Sequence, residues 1–115
     1  MYMMCFVAAV PSDQKDAYLA HSSKAAEIFK EFGATRVVEC WGDFILPGEM
    51  TSYPMAVAAK EGETVVTGWQ EWPDKETAHA NMEKAMSDPR LAAMGEMPFD
   101  GKRLIFGGFE TLIDV

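Results

Sequence analysis

The segments MYMMCFVAAV (residues 1–10) and RLIFGGF (residues 103–109) decide the fold of this chain. Both have the composition of β-strands, yet neither alternates between apolar and polar residues. A strand with one face on a core and the other in water would alternate. The sheet that contains these strands is therefore predicted to be covered on both faces.

The rest of the chain alternates between helix and strand patterns. Pro11 ends the first strand, and Ser12 or Asp13 is the expected N-cap of a helix that ends at Gly33 in a left-handed C-cap. A second helix starts at Asp74 and runs to Asp88-Pro89. Strands are predicted at residues 2–10, 35–41, 55–60, 64–72 and 102–112, with the place of 55–60 in the sheet left open.

This order of elements, β-α-β-(β)-β-α-β, predicts an α+β fold of the ferredoxin-like kind. It is a single domain over residues 1–115 with an antiparallel βαββαβ sheet and either one extra strand or an elaborated hairpin. The two helices of such a fold cover one face of the sheet. Because the strands are apolar on both faces, we expect a homodimer in which a second copy of the sheet covers the other.

The amino-acid composition limits the classes of partner that are expected for the protein. Among 115 residues, 10 are Lys or Arg and 18 are Asp or Glu, so the net charge of −8 repels nucleic acids and anionic membranes. The apolar N-terminal stretch is too short to span a bilayer and lacks a basic flank. Cys5 and Cys40 lie in apolar runs, which predicts buried thiols in a cytoplasmic protein.

Four motifs carry a family resemblance. They are VVECWGD (37–43), GETVVTGW (62–69), DPR (88–90) and MPFDGKRLIFGGFE (97–110). With them, the chain resembles the YbaA-like family of uncharacterised bacterial proteins, also called domain of unknown function 1428. This family is similar to the dimeric α+β barrel superfamily, which includes monooxygenases, haem-degrading enzymes and proteins without known activity. The resemblance implies a barrel dimer and no particular reaction.

Gly107 and Gly108 interrupt the last strand. No helix follows them, so they lack the helix N-terminus that a phosphate-binding loop needs. Glycines within a strand are typical of a bend or of close packing by a ring, for which Trp69 or Trp72 is the expected partner. The alternative is a flat ligand that lies over the two glycines.

Glu39 and Glu71 are carboxylates in apolar strands, where an inward-facing charge is costly without a partner. A buried carboxylate with a raised pKa could remove a proton from a substrate near neutral pH. The alternative is an ion pair at the dimer interface with Arg36, Lys102 or Arg103.

His21 lies on the apolar stripe of the first helix. Three roles are open for it, namely a ligand contact, a general base or a hydrogen-bonded core residue. His79, Cys5 and Cys40 are scattered, so neither a metal nor a cofactor is predicted. Of the nine methionines, four cluster around the second helix and the loop that follows it, namely Met82, Met86, Met94 and Met97. Methionine adapts to irregular cavities, so these residues suit an apolar pocket as well as a core.

Three functions remain open, and the sequence does not decide whether the protein is an enzyme. The first is a small-molecule binding or sensing homodimer, with an apolar or aromatic ligand between helices and sheet near Trp41, Trp69, Met82 and His21. The second is a cofactor-free monooxygenase or isomerase in which Glu39 or Glu71 acts with His21. The third is a structural or interaction dimer with a filled core.

Overall fold

The computed structural model describes residues 1–115. Four antiparallel strands, β1 (Tyr2–Pro11), β2 (Arg36–Trp41), β3 (Glu63–Trp72) and β4 (Ile105–Glu110), form one sheet in the spatial order β2-β3-β1-β4. The two long helices pack on one side of this sheet. The helices are α1 (Lys15–Glu31), α2 (Tyr53–Ala56), α3 (Lys75–Met86) and α4 (Pro89–Ala92). This architecture is the α+β ferredoxin-like fold that the sequence predicts.

The two long helices, α1 and α3, begin differently, because a side chain caps the start of α3 but not that of α1. The side chain of Asp74 accepts a hydrogen bond from the backbone N–H of Thr77 at 2.7 Å and so caps α3. Gly33 follows α1 with a φ of +118°, a conformation that favours glycine. The predicted N-cap of α1 is wrong, because a 3-10 turn at Ser12–Gln14 precedes the helix. Ser12 instead bonds the hydroxyl of Thr64 at 2.7 Å.

The sheet has a helix face and an open face. On the helix face, Met4 and Trp72 pack in one cluster with Ile28 and Phe29 of α1 and Ala78 of α3. Cross-strand partners share a face, and successive residues alternate between faces. The open face, which the two long helices do not cover, therefore carries Met3, Cys5 and Val7 of β1, Val38 and Cys40 of β2, Val65, Trp69 and Glu71 of β3, and Ile105 and Phe109 of β4.

Residues 55–60 do not form the extra strand that their composition predicts. Ser52 caps the short helix α2 by accepting a hydrogen bond from Met55 N–H at 3.1 Å, and Pro54 occupies the first turn, where its missing N–H is harmless. Val57 follows and is 1% exposed, packed against Ala9 and Val65 on the open face. The long β2–β3 connection thus covers one end of this face within the chain itself.

The remainder of the open face is uncovered and ends in an apolar tail. The last strand begins at Ile105, after a 3-10 turn at Gly101–Arg103, and stops at Glu110, so it is shorter than the predicted 102–112. Phe109 is 57% exposed, and Leu112 and Ile113 lie beyond the strand with exposed side chains. These side chains leave an apolar surface without a covering element.

The two cysteines are free thiols. Cys40 is exposed and Cys5 is half-buried, so the prediction of two buried thiols is wrong for Cys40 in the single chain. Its side chain points to the open face because it pairs with Thr67 across the sheet. None of the helices has both the length and the apolar character required to cross a bilayer.

Candidate functional site

Glu39 lies on the helix face of the sheet, directly under α1. Tyr18 of α1 donates its phenol hydrogen bond to Oε1 of Glu39. Gly68 is the cross-strand partner of Glu39, and a Cβ added there would lie 2.5 Å from the carbonyl oxygen of Val38 and 3.0 Å from Cγ of Glu39. A glycine at this position therefore leaves the space in which the carboxylate sits.

The electrostatics of this pair keep the phenol protonated. Burial raises the pKa of Tyr18 far above its usual range, and the negative charge and hydrogen bond of Glu39 raise it further. Six close ion pairs occur in the chain, and none of them includes Glu39. Glu39 is thus a half-buried carboxylate whose one bonded partner is neutral.

Aromatic rings surround the pair. The ring of Tyr18 lies 6.1 Å from that of Trp41 and 6.2 Å from that of Phe99, measured between centroids. Lys15 places its ammonium 5.5 Å from the centroid of Trp41. A cavity of about 110 Å³ lies beside Glu39. Its lining includes Lys15, Tyr18, Trp41 and Glu39 itself, together with Leu19 and Ser22. We call it the Glu39 cavity.

His21 borders a second cavity, and its ring meets that of Phe99 edge-on, with the centroids 6.5 Å apart. Burial lowers the pKa of His21 below its usual value, and the charge of Glu39 opposes this shift in part. The ring is therefore neutral at neutral pH, with one nitrogen that donates and one that accepts. This His21 cavity has a volume of about 230 Å³ and an apolar lining formed mainly by Ala25, Met86, Leu91, Ala92 and Met97.

Trp69 and Glu71, which the sequence places among the candidate residues, lie on the open face. Trp69 donates its indole N–H to Oε2 of Glu71 at 3.1 Å, and Arg36 lies 3.6 Å from the same oxygen. The structure therefore separates Trp69 from Trp41 by the thickness of the sheet, and the two cannot line one pocket. Glu71 has the ion-pair partner that the alternative interpretation named, but within one chain.

Met82 packs against the core cluster under α3 and borders neither cavity. Two other methionines of the same cluster in the sequence, Met86 and Met97, line the His21 cavity. The methionine-rich composition of this region thus indicates an apolar cavity, although it does not show which methionines face that cavity. Among His, Cys, Asp and Glu side chains, no three come together as metal ligands would.

The two glycines of β4 face opposite sides of the sheet. A Cβ added at Gly108 would lie 2.1 Å from the phenol oxygen of Tyr2, so the Tyr2 ring lies flush on this residue. Tyr2 therefore fills the space for which the sequence suggested a tryptophan or a flat ligand. Gly107 faces the open side, where a Cβ would meet only the ring of Phe109, at 3.5 Å.

Solved structures with the same architecture define the class of protein. The chain is similar to a dimeric ferredoxin-like protein from an uncultured marine organism, with a TM-score of 0.61 at 11% identity over 99% of this chain and 98% of that one. It is also similar to an uncharacterised NIPSNAP domain protein from Burkholderia xenovorans, with a TM-score of 0.60 at 14% identity over 97% and 95% of the two chains. These similarities show the ferredoxin-like fold.

Sequence comparison gives the family. The chain belongs to the DUF1428 family of proteins of unknown function, whose model matches residues 1–101. It is 55% identical to the uncharacterised protein YbaA of Escherichia coli K12 over 114 residues, which is 98% of this chain and 97% of the relative. The YbaA of Shigella flexneri is related to the same extent. The family resemblance carried by the four motifs is confirmed.

Proposed function

We propose that this protein is a homodimer that binds a small apolar or aromatic molecule in the His21 cavity. The observation that carries the proposal is the lining of this cavity, which is apolar except for His21, Ser87 and Asp88. Asp88 is engaged by Arg90 at 2.9 Å, so His21 and Ser87 are the polar side chains that can contact a ligand. An apolar cavity with few polar groups is typical of small-molecule sites.

The volume of the His21 cavity and the chemistry of its lining limit which ligands can bind. The volume of about 230 Å³ lies below the roughly 300 Å³ at which sites for drug-sized molecules begin. A single-ring or two-ring aromatic molecule fits such a space. Because a neutral imidazole offers one donor and one acceptor, the ligand is expected to carry one hydrogen-bonding group that points to His21.

The open face supports the homodimer. Ile105 and Phe109 are 44% and 57% exposed there, beside the half-buried Met3 and Val38. A second copy of the same apolar surface would bury them by two-fold symmetry. The similar protein from a marine organism is described as dimeric, which agrees with this arrangement. Free thiols on this chain also agree with a cytoplasmic location.

Indole is a suitable probe for the His21 cavity, because it is flat, apolar and carries one N–H donor. We expect saturable binding of indole by isothermal titration calorimetry. Leu91→Trp should abolish binding by filling the cavity, and His21→Phe should weaken it about fivefold, the value of one hydrogen bond of about 1 kcal/mol.

Leu19→Trp is the matched control, because it adds the same ring at a residue of α1 that does not line the His21 cavity. It should bind indole as the wild type does. Absence of saturable binding by the wild type, or equal binding by Leu91→Trp and Leu19→Trp, would show that the cavity is not a ligand site.

A proton-transfer enzyme is the second candidate, and one observation favours it. Glu39 lies on the same side of the sheet as His21, close enough for its charge to act on the His21 ring, whereas Glu71 lies on the other side. Glu39 could remove a proton from a carbon next to a carbonyl group and return it to a neighbouring carbon, which is an isomerisation without a cofactor.

Deuterium exchange of acetone tests this candidate. If Glu39 is a general base, the protein in D₂O should accelerate exchange of the methyl protons, followed by proton NMR. Glu39→Gln should reduce the protein-dependent rate about a hundredfold or more, the usual contribution of a positioned base. Glu71→Gln is the control and should keep the rate. Equal rates in the two variants would exclude Glu39 as the base.

A further inference from the structure

Glu39 combines partial burial with the absence of a cationic partner. Its one hydrogen bond comes from the phenol of Tyr18, which remains neutral and donates to Oε1 of Glu39 only. The close ion pairs of the chain all involve other carboxylates. A carboxylate that is withdrawn from water gains strongly from a compensating positive charge.

The same cavity offers an aromatic surface that already attracts a cation. The ammonium of Lys15 lies 5.5 Å from the centroid of the Trp41 ring, within the range of cation–π attraction. Tryptophan has the aromatic face that binds cations best. Trp41 is half-buried at the end of β2, so its ring is held in place while one side meets the cavity.

We propose that the Glu39 cavity binds a small organic cation, a methylated or primary ammonium compound, between the Glu39 carboxylate and the face of Trp41. The cavity has a volume of about 110 Å³, which excludes nucleotides and large amines and admits a compact ammonium group. Tyr18 and Ser22, whose side chains carry hydroxyl groups, also line it. The site is separate from the His21 cavity and does not depend on it.

Lys15 acts as an internal competitor for this site. Its side chain is exposed and lies at the first position of α1, and it covers the ring face that the ligand would use. A ligand must displace this ammonium, which can return to water at little cost because its stem is flexible. Removal of the Lys15 amine should therefore increase the affinity for an external cation.

Tetramethylammonium chloride is the probe, and sodium chloride at equal ionic strength is the reference. We expect a saturable shift of the Trp41 indole resonance in NMR titrations of the full chain. Lys15→Ala should bind the probe about threefold more tightly, as expected when a surface cation–π contact no longer competes. Lys24→Ala, another lysine of α1, should bind as the wild type does. Glu39→Gln should bind about tenfold more weakly.

A non-saturable response of the wild type, equal to that in sodium chloride, would overturn the proposal. So would unchanged binding by a folded Glu39→Gln protein, because the carboxylate would then play no part. If Glu39→Gln does not fold, the comparison of Lys15→Ala with Lys24→Ala decides. Equal affinity of these two exposed variants would contradict a cation site over Trp41.

Discussion

At the scale of residues, Arg103 fastens the β2–β3 connection to the sheet. Its guanidinium donates to both carboxylate oxygens of Glu63 at 2.7 Å, to the carbonyl oxygen of Ala58 at 3.0 Å and to Asp100 at 3.2 Å. Ala58 has a φ of +48°, which is unfavourable for a residue with a side chain. The bonds of Arg103 hold this turn, and with it Val57, over the open face.

The Glu63–Arg103 pair should make stability depend on pH in the acid range. The hydrogen bonds from Arg103 lower the pKa of Glu63 from 4.5 to about 2. A lowered pKa in the folded state means that the pair stabilises the protein fully above pH 4.5 and that this contribution disappears as the pH falls towards 2. Glu63→Gln should therefore unfold at lower urea concentration than the wild type at pH 7, and the difference should shrink below pH 4.5 and be mostly lost at pH 2.

Glu61→Gln is the control for this prediction, since Glu61 lies in the same turn, is exposed and has no ion-pair partner. Its urea midpoint should follow that of the wild type at every pH. A difference between wild type and Glu63→Gln that stays constant from pH 7 to pH 2 would show that the charge of Glu63 is not what stabilises the connection.

Strand alternation predicts which residues within one strand share a face, but it showed neither which face meets the helices nor that Trp41 and Trp69 lie on opposite faces. Strand alternation places Glu39 and Trp41 together, and the structure agrees. Both faces of the sheet are rich in apolar residues, however, so alternation alone could not show that Glu71 and Trp69 turn away from α1. The contact of Tyr18 with Glu39 joins residues 21 positions apart and leaves no local signal.

At the scale of elements, local sequence signals predicted the helix ends correctly where no distant hydrogen-bond partner competed for the capping residue. Asp74 caps α3, and Gly33 takes the left-handed conformation after α1, as predicted. Ser12 has the same capping potential as Asp74 but bonds Thr64 of β3, a partner 52 residues away. Tertiary hydrogen bonds of this kind override local preference, and a single sequence does not reveal them.

Residues 55–60 show the limit of composition as a guide to strands. All of them except Lys60 are apolar, and this composition predicts a strand. A serine cap and a proline in the first turn instead begin the short helix Tyr53–Ala56, and Val57 then inserts against the sheet. The cap and the proline were visible in the sequence, whereas the place that Val57 occupies depends on the final packing of the sheet.

At the scale of the whole molecule, the apolar character of both sheet faces has two causes. The helices bury one face, and the β2–β3 connection buries one end of the other around Val57. The surface around Ile105 and Phe109 stays exposed in the single chain, and it is the surface that the proposed dimer would bury. The cavities beside His21 and Glu39 lie on the opposite, helix side, so the proposed dimer would leave them open to ligands.

Native mass spectrometry of the protein purified from its own host measures both the number of subunits and the mass of any bound small molecule. We predict a dimer that carries a small bound molecule, which is released on denaturation. Phe109→Glu should shift the protein to monomers by placing a charge in the interface, whereas Leu19→Glu, on the exposed side of α1, should remain dimeric. A monomeric wild-type chain would contradict the dimer, and a bare dimer that also fails to bind indole would contradict the binding function.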